Sequence, residues 1–574
     1  MLNQLVDFGK ARRGEEANDA LKKEFVEVDI VINNKGHYIS FNRFEKVAVV
    51  TEALASKKGK ARLLVDKAEE VLGLDEKKHQ LYLDKLYLYK DILSIHPVLL
   101  FYSKDNENGL LKAKVDILSN LQEKELKGNF AFRVNEKSIR INEEDDIVKA
   151  VTSQFISSQS KKIKSGGKAC SICGTTDFPI TADPHGMIQK VPDGQTSGSA
   201  LVSFNEKAYE SYGFEKNENS SICSACARNY VEGLKFLLSD GVSVIREDGK
   251  GKKKEFTKFN HRKKLGSDTV LVFWTKSGNP LDELSYLEDP EDFRIMIDAA
   301  VVGKGNIVKK LDTDRFYSLI LSGAAARIAI RNWIEASTDD VKTNIIQWFN
   351  DIRLNVFDFD MKEIRPVYYS INKLSESLAV HKDNKPDYDD IYIGRGGDYL
   401  WRAALLNKPI PKSLLDRVLR RIRAEQGNVK PQRVALIKLI LNRGGYSMKE
   451  SCDFENVTPA YISGRIFAVL ENIQTAALGD SLNAPIKDRF FSSASTNPSS
   501  AFGRLFKMSN NHLSKLKGDK PGYAVNLEKK LGELISHINE FPSIFTLEEQ
   551  GQFAIGYYHQ RQENFTKKEN NQGE

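Results

Sequence analysis

Two short cysteine pairs constrain this chain more than any other feature. Four of its five cysteines form Cys-x-x-Cys pairs, Cys170 with Cys173 and Cys223 with Cys226, and 49 residues separate the pairs. Two intervening residues let both thiolates of a tight turn face one point, and two such turns supply the four ligands of a structural zinc site. The spacing therefore predicts a zinc ion that closes a large loop. Four protein ligands leave no open position for water, so no catalysis is assigned to it.

The cellular compartment determines whether these cysteines can form disulfides. The N-terminus lacks a basic segment followed by an apolar core, and no run of about 18 apolar residues occurs. We therefore expect a cytoplasmic protein without a membrane span, in which a reducing environment disfavours disulfides. Reduced cysteines without metal and a redox pair remain alternatives to zinc. Cys452 stands alone and is predicted to be a core thiol.

The length and the hydrophobic patterning predict an α+β protein with several domains. A chain of 574 residues exceeds one ordinary core. A mixed α/β N-terminal domain (1–165) contains a predicted hairpin around Asn-Lys-Gly in residues 25–41. A middle domain (166–375) carries the zinc site and a basic loop. A linker (376–396), an all-helical C-terminal domain (397–565) and a disordered tail (566–574) follow.

Three segments carry specific secondary-structure expectations. Residues 80–102 are predicted as one helix that ends near Pro97. Residues 312–337 read either as two strands around Ser322-Gly323 or as one helix, because periodicity alone does not decide. Residues 411–427 form an amphipathic helix with Gly427 as its C-terminal stop.

The segment between the cysteine pairs contains "VPDGQTSGS" (191–199), which is rich in glycine and small polar residues. Such a stretch brings backbone N–H groups close to a partner. Glutamine can pair bidentately with adenine, so Gln195 and its flanking Gly194 and Gly198 are candidates for DNA-groove contact or duplex wedging. Asn205 is a weaker candidate. A plain surface turn is the competing interpretation.

A zinc-stapled His-Asn-His nuclease is an alternative function for the same segment. Such enzymes need a histidine as general base and a second metal ligand on a strand–helix motif. Here Asp183 and His185 are split by Pro184, and no second histidine lies between the cysteine pairs or just after them. No Walker A loop, His-Glu-x-x-His sequence or nucleophile elbow occurs elsewhere. A zinc-stabilised scaffold that never touches nucleic acid is the third possibility.

The net charge of +7 is too small to indicate a nucleic-acid-binding protein, so local clusters of basic residues are the more informative feature. "KGKKKEFTKFNHRKK" (250–264) holds eight Lys and Arg in 15 residues, and "SQSKKIKSGGK" (158–168) leads into the first cysteine pair. Either cluster fits phosphate contact or a solvated loop. The candidate phosphate-binding lysines are Lys161, Lys162, Lys164, Lys168, Lys252, Lys253 and Lys254. In the 411–427 helix, Arg417, Arg420 and Arg421 lie within about 100° on one face and are weaker candidates for nucleic-acid backbone contact.

Several stretches, taken together and in order, resemble one family. They include "ARLLVDKAEEVLGL", "GQTSGSALVSFNEKAYESYG", "SDTVLVFW", "GAAARIAIRNW", "LLDRVLRRIRAE", "TPAYISGRIFAVLENIQ", "IKDRFFSSASTNPSSAFGRLFK" and "EEQGQFAIGYYHQRQ". As a set, from about residue 60 to 562, they resemble the large subunit of the type I-C CRISPR surveillance complex (Cascade). The second cysteine pair departs from the family pattern, so the zinc prediction rests on spacing alone.

The resemblance implies a non-catalytic subunit of a complex that carries a crRNA. Such subunits recognise the protospacer-adjacent motif (PAM) on double-stranded DNA, help open the duplex and recruit a separate helicase–nuclease, while the guide RNA reads the remaining sequence. The implied partners are the backbone and crRNA-processing Cascade subunits. The family also suggests a small subunit made from an internal start. Met448 would begin such a product of 127 residues (448–574), unless it is an ordinary internal methionine.

Overall fold

A computed structural model describes residues 1–13, 20–53, 60–160, 169–176, 180–181, 185–247, 253–291, 314–382, 385–479 and 485–565. The tail predicted at 566–574 lies outside these residues. The chain divides into two compact units. The smaller unit comprises Leu2–Gly186 and Val202–Gly233, and the larger comprises Met1, Met187–Leu201 and Leu234–Glu574.

The described residues form helices and strands along the whole chain. The helices are α1 (Leu2–Arg13), α2 (Ala68–Val71), α3 (Glu76–Tyr87), α4 (His96–Phe101), α5 (Leu110–Asn120), α6 (Asp145–Ser160), α7 (Ser224–Ser239), α8 (Glu283–Tyr286), α9 (Thr338–Ile352), α10 (Ile371–Glu376), α11 (Ile391–Leu406), α12 (Lys412–Ala424), α13 (Pro431–Arg443), α14 (Pro459–Leu478), α15 (Ile486–Thr496), α16 (Pro498–Asp519), α17 (Pro521–Ile535) and α18 (Leu547–Glu563). The strands are β1 (Leu21–Ile32), β2 (Tyr38–Glu52), β3 (Asp66–Lys67), β4 (Asn129–Val134), β5 (Met187–Ile188), β6 (Ser199–Ala200), β7 (Gly241–Glu247), β8 (Lys253–Phe259), β9 (Arg262–Lys264), β10 (Thr269–Thr275), β11 (Arg315–Ala324), β12 (Arg327–Ser337), β13 (Leu354–Asp358), β14 (Glu363–Val367), β15 (His381–Lys382) and β16 (Lys385–Pro386).

A four-stranded sheet of order β2-β1-β4-β3 organises the smaller unit. β1 runs antiparallel to β2 and parallel to β4. The hairpin predicted around Asn-Lys-Gly is confirmed, and Gly36 adopts φ +74° in its turn, a conformation that glycine reaches without strain. Alternate residues of the central strands, such as Ile30 and Phe132, are buried in the core of this unit.

The single helix predicted over residues 80–102 is wrong, because the chain turns after Tyr87. α3 ends there, and α4 begins at His96. Pro97 lies in the first turn of α4. Proline suits that position, where the missing N–H has no intrahelical partner. It therefore begins a helix rather than ending one.

A six-stranded sheet of order β5-β6-β12-β11-β10-β9 lies within the larger unit. Residues 312–337, which allowed two interpretations, form strands β11 and β12 where described. Their turn lies at Ala325, which has φ +53°, and not at Ser322-Gly323. Every residue of β10 is buried, as its unbroken run of apolar and threonine side chains suggests.

Helices dominate the larger unit after β16, which confirms the prediction of a helical C-terminal region. Two glycines let α14 and α18 approach closely. A Cβ atom on Gly464 would lie 2.1 Å from the Phe553 carbonyl oxygen, and one on Gly556 would lie 2.2 Å from that of Tyr461. Gly427 has φ +71° just after α12, as expected for a helix stop.

The boundaries predicted at 165, 375 and 396 stay a prediction. Residues 376–396 contain the short strands β15 and β16 and the beginning of α11. Within the described part of the chain, no helix combines the length and apolar composition that a bilayer span requires.

Candidate functional site

The two cysteine pairs converge on one point in the smaller unit. The four Sγ atoms of Cys170, Cys173, Cys223 and Cys226 all lie within 4.8 Å of one another. In the first turn, the N–H of Gly174 donates to the Cys170 carbonyl at 2.9 Å, and Gly174 has φ +72°. The second pair lies at the beginning of α7. The sequence prediction that these thiols form one cluster is confirmed.

The cluster fits a tetrahedral metal ion. With Zn–S bonds of about 2.3 Å, sulfurs at the corners of a tetrahedron lie about 3.8 Å apart. The Sγ atoms of Cys173 and Cys223 are separated by 3.8 Å. Backbone N–H groups also point at the sulfurs, with Cys223 N to Cys170 Sγ at 3.3 Å and Cys226 N to Cys223 Sγ at 3.5 Å. Such N–H donors stabilise ligating thiolates.

The thiols differ in how readily they ionise. Burial raises the pKa of Cys223 to about 11 and also raises that of Cys226. Burial opposes ionisation of Cys170 as well, but N–H donors that include Cys223 outweigh it and lower the pKa of this thiol to about 6. Ionisation of Cys223 and Cys226 therefore needs a bound cation, which a divalent metal provides.

The second pair leads into a tightly packed helix. A Cβ atom on Gly9 of α1 would lie 2.0 Å from the Asn229 carbonyl oxygen of α7. The Arg13 guanidinium donates to the Asn229 side chain at 2.9 Å. The cluster thus fixes the beginning of a helix whose next turns pack closely against α1.

His185, the candidate base of the nuclease alternative, lies in this packing. Its side chain is 8% exposed, and its Nδ1 lies 3.0 Å from the Tyr230 hydroxyl. Asp183 and Pro184 lie outside the described residues. A general base needs access to the proton that it removes. The burial of His185 therefore gives the nuclease alternative no geometric support.

The glycine-rich loop lies between β5 and β6 in the larger unit. Gln195, Thr196 and Ser197 are exposed at its tip, whereas Gly198 is buried and has φ +110°. The N–H of Gly198 donates to the Gln195 carbonyl at 2.9 Å, which closes the tip. The candidate residues Gly194, Gln195 and Gly198 thus share one small turn.

Backbone hydrogen bonds attach this loop to the β11–β12 turn. Gln195 N–H donates to the Ala325 carbonyl at 3.2 Å and to Ser199 Oγ at 3.1 Å. The Ser199 hydroxyl in turn donates to Ala325 at 2.7 Å. The N–H of Gly323 donates to the Pro192 carbonyl at 2.7 Å. The loop is exposed at its tip and held at its base.

Gly323 explains why this attachment is possible. A Cβ atom there would lie 2.2 Å from the Gly194 nitrogen and 2.4 Å from the Pro192 oxygen. Glycine within a strand often marks such a close backbone approach. Of the two interpretations of residues 312–337, one places Gly323 in a turn and the other in a helix, and neither gives Ser199 a role. A glycine inside an otherwise continuous strand indicates that another backbone segment can approach it closely, but the sequence does not indicate which segment does so.

The remaining loop and lysine candidates are distributed differently. Asn205 is exposed in the smaller unit. Lys253 is exposed at the beginning of β8, in a two-stranded ribbon with β7. Lys161, Lys162, Lys164, Lys168 and Lys252 lie outside the described residues, as does the side chain of Lys254.

The comparison with protein families covers nearly the whole chain. Residues 10–565 match the model of the CRISPR-associated protein family Cas_Csd1. The chain belongs to this Cas_Csd1 family. Membership indicates a Cascade-type subunit of a CRISPR effector complex. A search of curated proteins gives no match.

All three candidate arginines of α12 form ion pairs within this Cas_Csd1 chain, and two of them are largely shielded from solvent. Arg417 pairs with Asp390 at 2.7 Å, and its side chain is 20% exposed. Arg421 pairs with Glu425 at 3.0 Å and is 15% exposed. Arg420, whose partner is Asp416, is 68% exposed. Of the three arginines predicted to face outward, Arg420 alone is mainly exposed.

Cys452 is not one of the four clustered cysteines; it follows α13 and is half-buried. Burial raises the pKa of its thiol. The sequence predicts Cys452 to be a core thiol, but a half-buried side chain lies at the edge of the core and not within it.

Proposed function

We propose that this protein is the large subunit of a type I-C effector complex and that it recognises the protospacer-adjacent motif on duplex DNA. The observation that carries the proposal is the exposed Gln195–Ser197 tip, held at its base by the β11–β12 turn. A reader of base edges needs exposed polar side chains on a rigid support. The tip meets both requirements.

The loop chemistry favours contact in a DNA groove. The Gln195 backbone N–H is already bonded inside the protein, so its side-chain amide is the group available to a base pair. That amide can donate to and accept from adenine at once. Gly198 is buried, so in this proposal it shapes the turn instead of touching DNA. Gly194 allows the close packing that holds the tip.

Phosphate contacts are proposed for the basic ribbon of β7 and β8, beginning with Lys253. Lysines at such positions add affinity that does not depend on sequence and weakens with salt. Bases beyond the short motif would be read by the crRNA, and the heteroduplex would be held through its shape.

The subunit is proposed to be non-catalytic. It would help open the duplex and then recruit a separate helicase–nuclease, together with the backbone and crRNA-processing subunits, in the cytoplasm. The burial of His185 supports this reading over the nuclease alternative. The cysteine cluster is assigned to structural zinc, since all four positions of a tetrahedral ion would be filled by protein.

We further propose that Met448 begins a shorter second product. The fragment 448–574 would contain α14 to α18 and lack α13. α13 contributes buried residues such as Leu436 and Ile440 to the larger unit. The fragment would therefore expose apolar surface that needs a partner. Met448→Leu should remove a co-purifying short product, and its persistence would exclude this start.

The proposal of a surveillance-complex subunit is tested by the RNA that accompanies the protein. The tagged chain is purified from cells that express the genes encoded beside it, and the bound RNA is sequenced. A uniform short RNA of repeat-plus-spacer form, with partner subunits in the same peak, is expected. Protein without RNA, although all partners are expressed, would overturn the assignment.

A further inference from the structure

The hairpin of β13 and β14 carries large apolar side chains at an exposed tip. Phe359 and Met361 are each 65% exposed, Ile364 is 44% exposed, and Phe565, just after α18, is 41% exposed. We name Phe357, Phe359, Met361, Ile364 and Phe565 the aromatic finger. Contiguous exposed apolar groups of this size are uncommon and mark interaction sites more often than bare surface.

Three rings of the aromatic finger hold one another in place. The centroids of Phe357 and Phe359 are 5.2 Å apart, and those of Phe359 and Phe565 are 5.0 Å apart, both in edge-to-face geometry. Phe357 and Phe565 stack at 5.8 Å. An anchor that is ordered before binding loses little conformational entropy when a partner arrives.

The turn between the strands is also fixed. The Asp358 carboxylate accepts the N–H groups of Asp360 at 3.0 Å and Met361 at 3.1 Å, and it pairs with Arg365 at 2.9 Å. At the base, Phe357 N–H donates to the Gln562 side chain at 2.9 Å. The turn of the finger is therefore held by hydrogen bonds within the hairpin and by a contact with α18.

The charges around the finger are mainly acidic. Asp360 and Glu363 are exposed at the tip, beside Lys362. A cleft of about 420 Å³ next to the hairpin is lined by Asp289, Glu291 and Asp358 as well as Arg365. A nucleic-acid backbone would be repelled by this rim, whereas a protein surface with lysines or arginines would complement it.

We propose that the aromatic finger is a docking anchor for another protein subunit of the effector complex, one that offers an apolar pocket with a basic rim. Phe359 would fill the pocket as a pre-ordered ring. Met361, which is unbranched and flexible, would adapt to its edge. Aromatic anchors of this kind carry a large share of interface affinity.

This inference depends on family membership and not on DNA recognition by the Gln195 loop. A complex can lose a subunit at the finger and keep the loop intact. The two proposals therefore fail separately, and each has its own readout.

Photo-crosslinking tests the proposal directly. p-Benzoyl-phenylalanine replaces Phe359 in the complete complex, and replaces Tyr388, which is 59% exposed in the same unit, as the matched control. After irradiation, the Phe359 position is expected to crosslink to one other subunit, at an apolar surface flanked by lysines or arginines. A crosslink to RNA, to DNA or to a second copy of this chain, or no crosslink to another molecule, would overturn the proposal.

Two variants test the energetics of docking. Phe359→Ala/Met361→Ala and the rim reversal Asp360→Lys/Glu363→Lys are each expected to weaken retention of that subunit by at least about tenfold. The control Ile544→Ala removes a side chain that is 69% exposed in the same unit and should leave retention unchanged. The rim reversal keeps the ring cluster intact, so it remains informative if the double alanine variant folds poorly. Unchanged retention in the rim reversal would contradict the inference.

Discussion

The backbone N–H of Gln195 donates to the Ser199 hydroxyl oxygen at 3.1 Å, and Ser199 is fully buried. That hydroxyl also donates to the Ala325 carbonyl at 2.7 Å. The Ser199 side chain therefore holds the exposed loop tip to the turn between β11 and β12, together with the direct bond from Gln195 N–H to the Ala325 carbonyl. Part of the attachment of the tip therefore comes from a side chain that solvent does not reach.

Ser199→Ala should weaken recognition of the DNA motif while the protein stays folded. Loss of the two Ser199 hydrogen bonds costs about 1–3 kcal/mol locally and loosens the tip, although the bond from Gln195 N–H to the Ala325 carbonyl remains. Preference for motif-bearing over motif-free duplex should fall several-fold, as measured by titration of the assembled complex. Ser536→Ala removes an exposed hydroxyl elsewhere in the larger unit and serves as the control. Equal preference in both variants would show that the attachment does not orient the tip.

The cysteine cluster should hold one zinc ion per chain. Elemental analysis of protein purified without a polyhistidine tag measures the metal, and Cys223→Ser should lower the content well below one equivalent. Since metal-binding energy is folding energy in such sites, this variant should also unfold more easily around α7. Cys452→Ser is the matched control and should keep its zinc. Four titratable thiols and no metal in the unmodified protein would disprove the site.

The arginines of α12 should separate into structural and exposed groups. Arg417 also donates to the Leu378 carbonyl at 2.8 Å and lies 4.1 Å from the Tyr392 ring centre. Arg417→Ala should therefore destabilise the chain by about 1–3 kcal/mol. Arg420→Ala should change the free energy of unfolding by less than about 0.5 kcal/mol.

Urea unfolding measures both arginine variants. Equal free energies of unfolding for Arg417→Ala and Arg420→Ala would contradict the division into structural and exposed arginines. If Arg420 contacts a phosphate in the complex, its loss should also reduce the slope of the logarithm of the DNA-binding constant against the logarithm of the salt concentration by about one.

Acid should destabilise the larger unit through His559. This side chain is buried, and its Nδ1 lies 2.9 Å from the Tyr461 hydroxyl. Burial, followed by the nearby Lys438 charge, lowers the pKa of His559 to about 3, although Asp453 opposes this. The unfolded chain binds a proton below about pH 6.5 and the folded chain does not. His559 therefore does not reduce the free energy of unfolding above pH 6.5. Its neutral, buried state lowers that free energy progressively as the pH falls from 6.5 toward 3.

The expected slope is at most about 1.4 kcal/mol per pH unit. Urea midpoints between pH 7.5 and 4.5 measure it, and His559→Gln should flatten the dependence. An identical slope in both proteins would rule out His559 as its source.

Local patterns predicted what depends on neighbouring residues in the sequence. The spacing of Cys170 and Cys173 specifies a turn, and the apolar face of α12 specifies a helix, because both follow from short-range geometry. The break after Tyr87 was missed because apolar residues continue through it at helical spacing. The role of Gly323 was missed because its partner, Gly194, lies more than a hundred residues earlier in the chain.

The candidate site shows the same division. Exposure of Gln195 follows from a loop rich in glycine and serine. A helical wheel predicts that Arg417 and Arg421 face outward, because it does not include Asp390 and Glu425, with which they pair. Pairing between distant segments decides which charged side chains remain exposed.

The most direct test of the account is a binding selection on DNA with randomised base pairs beside a sequence complementary to the crRNA. The assembled complex, with the unmodified subunit or with Gln195→Ala, is incubated with the library, and bound duplexes are sequenced. The account predicts that the unmodified complex enriches a short motif and that Gln195→Ala loses preference at one or more of its positions. The same enrichment with both proteins would contradict the assignment of this loop as the reader.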